Sequence, residues 1–81
     1  MTTIWHYRTP VGVFWIRPQP NSDGRWWLGV GDEMPLGSYH SPEAAASDMG
    51  DQVTGWSDWD LLRGAQAPRD LSEWTPGPPP R

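Results

Sequence analysis

Seven tryptophans in a chain of 81 residues that has no cysteine constrain the fold more than any other feature. A domain of about 60 residues buries only about 60% of its unfolded surface, which makes it marginally stable. Disulfides cannot compensate here, but each buried aromatic removes roughly 150–250 Å² from water, worth about 4–6 kcal/mol. We therefore expect one small domain with a core of a few very large side chains. The tryptophans are Trp5, Trp15, Trp26, Trp27, Trp56, Trp59 and Trp74.

The charge of the chain limits the classes of partner. The net charge is −4, there is no lysine, and the six arginines are scattered along the sequence and are expected to form no patch. Nucleic-acid binding depends on cationic side chains that neutralise phosphates, so nucleic acid is an unfavourable partner. The same reasoning disfavours an anionic membrane surface. Without cysteine there is also no thiolate zinc site.

No targeting signal is evident in the sequence. The first residues lack the basic start and apolar run of a signal peptide. No stretch approaches the roughly 20 apolar residues of a membrane span. We therefore expect a cytoplasmic protein of bacterial type, with no membrane partner.

The first half of the chain predicts antiparallel strands separated by turns. The turn at residues 9–12 contains Pro10 and Gly12, which favour chain reversal. Residues 34–40 are interrupted by proline and glycine, which an edge strand tolerates. The predicted strands are residues 4–8, 11–17, 25–30 and 34–40.

Both faces of this sheet are predicted to carry apolar side chains. In residues 11–17, Trp15 points to one side and Phe14 to the other. The adjacent Trp26 and Trp27 must point to opposite faces, because successive side chains of a strand alternate. Gly29 leaves room for a close approach.

A single helix is predicted to follow the strands. Ser41 is a suitable N-cap, Pro42 fits the first helical position, and Glu43 complements the helix dipole. Gly50 weakens the helix and Gly55 is expected to end it. The apolar stripe of this helix consists of Ala45, Met49 and Val53.

These elements predict an α+β fold in residues 1–63. It is a three- or four-stranded antiparallel sheet with one helix packed on one face and an irregular C-terminal extension. Residues 64–81 are rich in proline and are expected to be a mostly irregular or disordered tail. Within them, Asp70 can cap one helical turn next to Trp74. Residues 78–80 are a polyproline segment that we hypothesise to dock on an aromatic groove.

The sequence contains neither of two common motifs of enzymes, the nucleophile elbow of hydrolases and the glycine-rich phosphate-binding loop. We therefore expect no catalytic residues and no cofactor. The two histidines, His6 and His40, could meet across the sheet near Asp32 or Glu33. Two histidines without a spaced partner motif do not define a metal site. A small enzyme or metal-dependent accessory protein using His6 and His40 is therefore the alternative function, and we expect no metal.

The tryptophans outside the core define the candidate binding surface. Trp5, Trp15 and one of Trp26 and Trp27 are expected to build the core between sheet and helix. The remaining strand tryptophan, with Trp74, would then lie on the other face. Either this face binds a ligand, or Trp56, Trp59 and Trp74 fold over it as a second small core. The candidate surface comprises Trp15, Trp26, Trp27 and Trp74. We expect a non-enzymatic binding module whose partner is a protein or peptide, with a homodimer as a further alternative.

The stretch from Tyr7 to Asp60 resembles a family of small uncharacterised bacterial proteins. The shared pattern is Thr9-x-x-Gly12-x-Phe14, Leu36-Gly37-Ser38-Tyr39, Ser41-Pro42-Glu43-x-Ala45-Ala46, Thr54-Gly55 and Trp59-Asp60. This resemblance implies no particular activity and no functional residues.

A less extensive resemblance, over residues 12–49, is to the small bacterial YegP-like repeat. It rests on Gly12-x-Phe14, Arg25-Trp26-Trp27-Leu28 and Ser38-Tyr39-His40-Ser41-Pro42-Glu43-Ala44-Ala45. The resemblance implies a three- or four-stranded antiparallel sheet with one helix, and often a dimer. The Asn-Gly turn of that family before the Ser-x-Tyr segment is not found in this chain.

Overall fold

The computed structural model describes residues 3–31 and 35–78 and shows an α+β fold. An antiparallel sheet is covered on one face by a helix and by the segments that follow it. The strands are β1 (Trp5–Thr9), β2 (Gly12–Pro18), β3 (Trp26–Val30), β4 (Gly37–Tyr39) and β5 (Thr75–Pro76). The helices are α1 (Pro42–Gly50) and α2 (Ser57–Asp60), and a 3₁₀ turn spans Leu71–Glu73.

The sheet has the order β4-β3-β2-β1-β5, and all described neighbours are antiparallel. The first four strands form a meander, as the sequence predicts. Thr9 stabilises the β1–β2 turn, since its hydroxyl donates to the Gly12 carbonyl at 2.7 Å and accepts from the Val11 N–H at 3.3 Å. The fifth strand was not predicted, because it contributes two residues, one of them Pro76, and has no alternating pattern.

Helix α1 begins as the sequence predicts and ends earlier. The Ser41 hydroxyl accepts from the Ala44 N–H at 3.1 Å, and Pro42 and Glu43 lie in the first turn. The helix ends at Gly50, whose missing Cβ would lie 2.6 Å from the Arg69 side chain. Val53 therefore lies beyond the helix and is 58% exposed, so its predicted place on the buried stripe is wrong.

Gln52 explains how the chain turns after α1. It has a φ of 57°, and its side-chain amide donates to the Trp59 and Leu62 carbonyls at 2.7 and 2.8 Å. These two bonds hold α2 against the end of α1 and offset the cost of the left-handed backbone. Trp59 of α2 is thereby placed over the sheet, where its indole N–H donates to the Met49 carbonyl at 2.7 Å.

The core lies between the sheet and the helical layer. Ala45 and Ala46 are fully buried, and such small side chains let α1 lie close to a sheet that carries large aromatics. Trp59 packs against Phe14 with ring centroids 5.2 Å apart and tilted planes, a favourable arrangement for aromatic pairs. The buried core residues are Phe14, Ile16, Leu28, Val30, Ala45, Ala46, Met49, Trp59, Leu71 and Trp74.

The C-terminal extension belongs to this core up to β5. Trp74 is only 2% exposed, and its ring lies 5.8 Å from that of Tyr7. Asp70 caps the 3₁₀ turn by accepting from the Ser72 N–H at 3.0 Å, which confirms the predicted cap and lowers the pKa of Asp70. The predicted boundary between residues 63 and 64 thus separates segments that share one core. Residues 79–81, with most of the polyproline segment, lie outside the described residues.

No described helix is long and apolar enough to cross a membrane. The longest, α1, has nine residues.

Candidate functional site

The side of the sheet that points away from the helical layer is called the second face here. Strand alternation and the register assign its members: His6, Arg8, Val13, Trp15, Arg17, Trp27, Gly29, Ser38 and Thr75. Within residues 3–31 and 35–78, the helices and the C-terminal segment pack on the opposite side. Among the described residues, the second face is therefore the side of the sheet that the helical layer leaves uncovered.

Trp15 lies flat on this face, over Gly29 of the neighbouring strand. A Cβ atom at Gly29 would be 2.1 Å from the Trp15 indole, so only glycine permits this position. The indole N–H donates to the Gly31 carbonyl at 2.9 Å, and Trp15 is only 4% exposed. Trp15 is thus a fixed platform, and the close approach expected at Gly29 is confirmed.

The Arg17 guanidinium stacks on this platform. Its central carbon lies 4.2 Å from the Trp15 ring centroid and 6.0 Å from that of Trp27. Such a cation–π contact is worth about 0.5–1 kcal/mol at an exposed site and restrains the side chain. No described residue accepts a hydrogen bond from the N–H groups of this guanidinium. The donors of Arg17 are therefore available for an anionic group.

Arg25, just before β3, is held at the neighbouring corner of the second face. Its Nε donates to the Ser38 hydroxyl at 2.7 Å and one terminal nitrogen donates to the Ser38 carbonyl at 2.9 Å. The Ser38 hydroxyl in turn donates to the Gln19 side-chain oxygen at 2.5 Å. This network orients a second exposed arginine beside Trp27.

Charges are segregated between the two sides of the sheet. Arg8, Arg17 and Arg25 lie on or next to the second face, whereas β1 to β5 contain no carboxylate. The described carboxylates are Asp23, Glu43, Asp48, Asp51, Asp58, Asp60, Asp70 and Glu73. All of these except Asp23, in the β2–β3 loop, belong to the segments after β4. An acidic chain thus presents a locally cationic aromatic face.

The four tryptophans of the candidate surface do not form one surface. Trp15 and Trp27 lie on the second face, but Trp26 and the buried Trp74 lie on the helix side. There the ring centroids of Trp26 and Trp5 are 5.7 Å apart. Placing Trp15 in the core between sheet and helix was wrong, because it shares the direction of Arg17 and not that of Phe14.

A second small core made of the C-terminal tryptophans was also an incorrect expectation. Trp59 and Trp74 are buried in the main core. Trp56 is partly buried and packs against this core, with its ring centroid 6.0 Å from that of Phe14. The three tryptophans share this core with the small buried alanines of α1.

The arginines of the second face were missed by the sequence analysis. They are far apart in the sequence and were described as forming no patch. The signal was nevertheless present, since Arg17 lies two residues after Trp15 and Arg25 two before Trp27. Residues two apart on a strand share a face. The antiparallel pairing of β2 with β3 then brings the two arginines together.

The structure does not bring His6 and His40 together. His6 lies in β1 and His40 follows β4, so β2 and β3 separate them by about 14 Å at the usual strand spacing. The His6 ring nitrogen Nδ1 instead lies 2.9 Å from the Gly77 carbonyl. Asp32 and Glu33 lie outside the described residues. In the described part of the chain, no three histidine or acidic side chains are grouped as a metal site.

A shallow depression of about 310 Å³ lies on the helix side between Tyr7 and Pro68. It is lined by Tyr7, Gln66, Ala67, Pro68 and Glu73. This depression is open to solvent, unlike the clefts that enclose most of a small ligand's surface.

No protein-family model matches the chain, and neither a curated protein nor a solved structure matches it. The two resemblances stated from the sequence remain predictions, and the function must be inferred from the second face itself.

Proposed function

We propose that this protein is a small non-enzymatic binding module that uses its second face to hold a protein or peptide partner. The observation that carries this proposal is the Arg17 guanidinium stacked 4.2 Å above the Trp15 ring, beside Trp27. Arginine and tryptophan are the residues most enriched at the energetic centres of protein interfaces. Here both are fixed before any partner arrives, which lowers the entropy lost on binding.

The rigidity of the face supports binding rather than chemistry. Trp15 is held by Gly29 and the Gly31 carbonyl, and Arg25 is held by Ser38. The groups presented around Trp15 are an arginine and a half-buried indole, which recognise a surface but do not transfer protons near neutral pH. His6, on the same face, has its Nδ1 2.9 Å from the Gly77 carbonyl.

A homodimer formed through this face is unfavourable. A two-fold axis places the same patch of both subunits in contact. The strands of this face carry arginines and no carboxylate, so neither copy offers a counter-charge to the other, and two surfaces of like charge oppose association. The partner of the second face is therefore a different molecule, or a different surface of a second copy of this chain.

Affinity capture with matched variants tests this function. The bait is compared with Trp27→Thr and Arg17→Gln, which change the second face, and with Leu61→Ala, which removes a side chain that is 78% exposed on the helix side. Threonine keeps the strand preference of position 27. We expect a partner that is retained by the wild type and Leu61→Ala and lost with both second-face variants. Capture that survives both second-face changes would place binding elsewhere and contradict the proposal.

A further inference from the structure

Resting on the function proposed above, we infer that the second face recognises an acidic peptide segment in an extended conformation, with carboxylates on alternate residues. Arg17 and Arg25 form the recognition pair, and Trp27 lies beside both. Three observations carry this inference: the charge of the face, the spacing of the two arginines, and the covering of the Trp15 ring.

The charge of the face selects an anionic partner. Arg17 and Arg25 are exposed, and no described carboxylate lies within ion-pair distance of either guanidinium. The ion pair in the described chain is on the other side, where Arg69 Nε lies 2.8 Å from the Asp51 carboxylate. A carboxylate can take two parallel hydrogen bonds from one guanidinium, which gives strength and orientation.

The spacing of the two arginines suits an extended chain that carries carboxylates on alternate residues. Arg17 lies opposite Trp27, and Arg25 is two residues before Trp27, so the two arginines are diagonal neighbours. Side chains in this relation have Cα atoms about 7–8 Å apart and Cβ atoms somewhat closer. Alternate residues of a β-strand are about 6.7 Å apart and point to the same side. The Arg17 guanidinium lies over Trp15 of β2 and that of Arg25 bonds to Ser38 of β4, so the two charges lie on either side of β3 and Trp27. An extended segment that crosses Trp27 and carries carboxylates on alternate residues, all on one side, can place a carboxylate at each arginine.

The aromatic surface disfavours single-stranded nucleic acid, the other anionic polymer. Binding of single strands requires ring faces on which bases stack. The outer side of the Trp15 ring is occupied by the Arg17 guanidinium, and Trp15 is only 4% exposed. A net charge of −4 also repels a polyanion during its approach. A short acidic peptide carries less charge and needs no exposed stack of rings.

The test is an NMR titration of the full chain with a synthetic peptide in which glutamate alternates with threonine. Two probes of equal length serve for comparison: the lysine–threonine peptide and oligothymidylate. We expect the glutamate peptide to shift the indole N–H signals of Trp15 and Trp27 and the amide signal of Ser38. The affinity should fall as salt is added, because exposed ion pairs are screened.

Matched arginine variants locate the binding. Arg17→Gln should weaken the glutamate peptide at least about fivefold, since it removes a charge-assisted bidentate contact. Arg17→Lys, which keeps the charge but lacks the planar guanidinium group, should also weaken binding of the glutamate peptide. Arg63→Gln removes an exposed arginine from the helix side and should change the affinity less than about twofold. Signals distant from the substituted residue should stay unchanged in each variant, which verifies folding.

Three results would overturn the inference. They are no shifts at the second face with the glutamate peptide, an equal loss of affinity in Arg63→Gln, and tighter binding of oligothymidylate. If another probe shifts the same second-face signals, the face is still a binding surface and only the acidic peptide is refuted. Failure of the proposed function itself is recognised separately, by capture that does not depend on Trp27 or Arg17.

Discussion

The two faces of the sheet use the same residue types for different purposes. On the helix side, tryptophans are buried by a second layer, and the indole N–H groups of Trp59 and Trp74 donate to backbone carbonyls of that layer. On the second face, Trp15 satisfies its N–H within the β2–β3 hairpin and lies against the backbone of Gly29. Whether a strand tryptophan belongs to the core or to the surface therefore depends on whether the helical layer covers its side of the sheet.

The comparison shows how a single-layered face can still be ordered. The helix side gains its rigidity from interlocking side chains of two layers. The second face gains it from a stack of sheet backbone, indole ring and guanidinium, with Arg17 as the outermost member. Arg17 remains exposed in this stack, and no described residue accepts from its donors, whereas the polar groups of the packed core are paired within the fold. The following predictions test whether the two faces differ as described.

The largest expected loss of stability comes from a substitution on the helix side of the sheet. Trp59→Ala should lower the free energy of unfolding by about 3–5 kcal/mol, because it opens a large cavity and removes the bond to Met49. Trp27→Thr, the matched change on the second face, should cost only about 1 kcal/mol. Urea denaturation followed by circular dichroism measures both. Equal losses would break the distinction between core and surface tryptophans.

An intermediate effect is expected on the second face at Gly29. Gly29→Ala should destabilise the fold by about 2 kcal/mol, because the added Cβ displaces the Trp15 ring, which otherwise lies 2.1 Å from it. The variant should also lose the cation–π stack, visible as a changed Trp15 indole N–H shift. In a Trp15→Leu background the same alanine should cost less. Additive costs in this double-mutant cycle would mean that Trp15 does not rest on Gly29.

The smallest expected effect concerns Tyr39, a half-buried residue of β4 on the helix side. Burial, with the nearby Asp48 carboxylate, raises the pKa of the Tyr39 phenol to about 12. Between about pH 10 and that value the unfolded chain has released this proton and the folded chain has kept it, so stability falls as the pH rises. Relative to Tyr39→Phe, the wild type should lose about 0.5–1 kcal/mol from about pH 9 to about pH 11, after allowance for solvent screening.

Chemical denaturation at a series of pH values measures this difference, and the absence of lysine removes the usual competing titration. Asp48→Asn should make this loss smaller without changing the pH at which it begins, since it removes a charge that disfavours the folded-state phenolate. Identical pH dependence in the wild type and Tyr39→Phe would show that the helix side does not enclose this phenol.

Local signals made several parts of the fold predictable. The start of α1 follows from Ser41, Pro42 and Glu43, whose capping and dipole effects act within one turn. The β1–β2 turn follows from a few adjacent residues in the same way. The end of α1 was not predictable, because the left-handed turn at Gln52 that follows it is held by bonds to the Trp59 and Leu62 carbonyls, which only the folded chain brings near.

The candidate site was predictable only in part, and for the same reason. The sequence by itself determined that Trp26 and Trp27 point to opposite faces, that Trp15 and Arg17 share a face, and that Gly29 leaves space, because strand alternation is a local property. Only the tertiary structure decided which face receives the helical layer, since that depends on where residues 42–76 pack. It thereby decided that Trp74 is buried, that β5 closes the sheet beside β1, and that Arg17 and Arg25 meet beside Trp27.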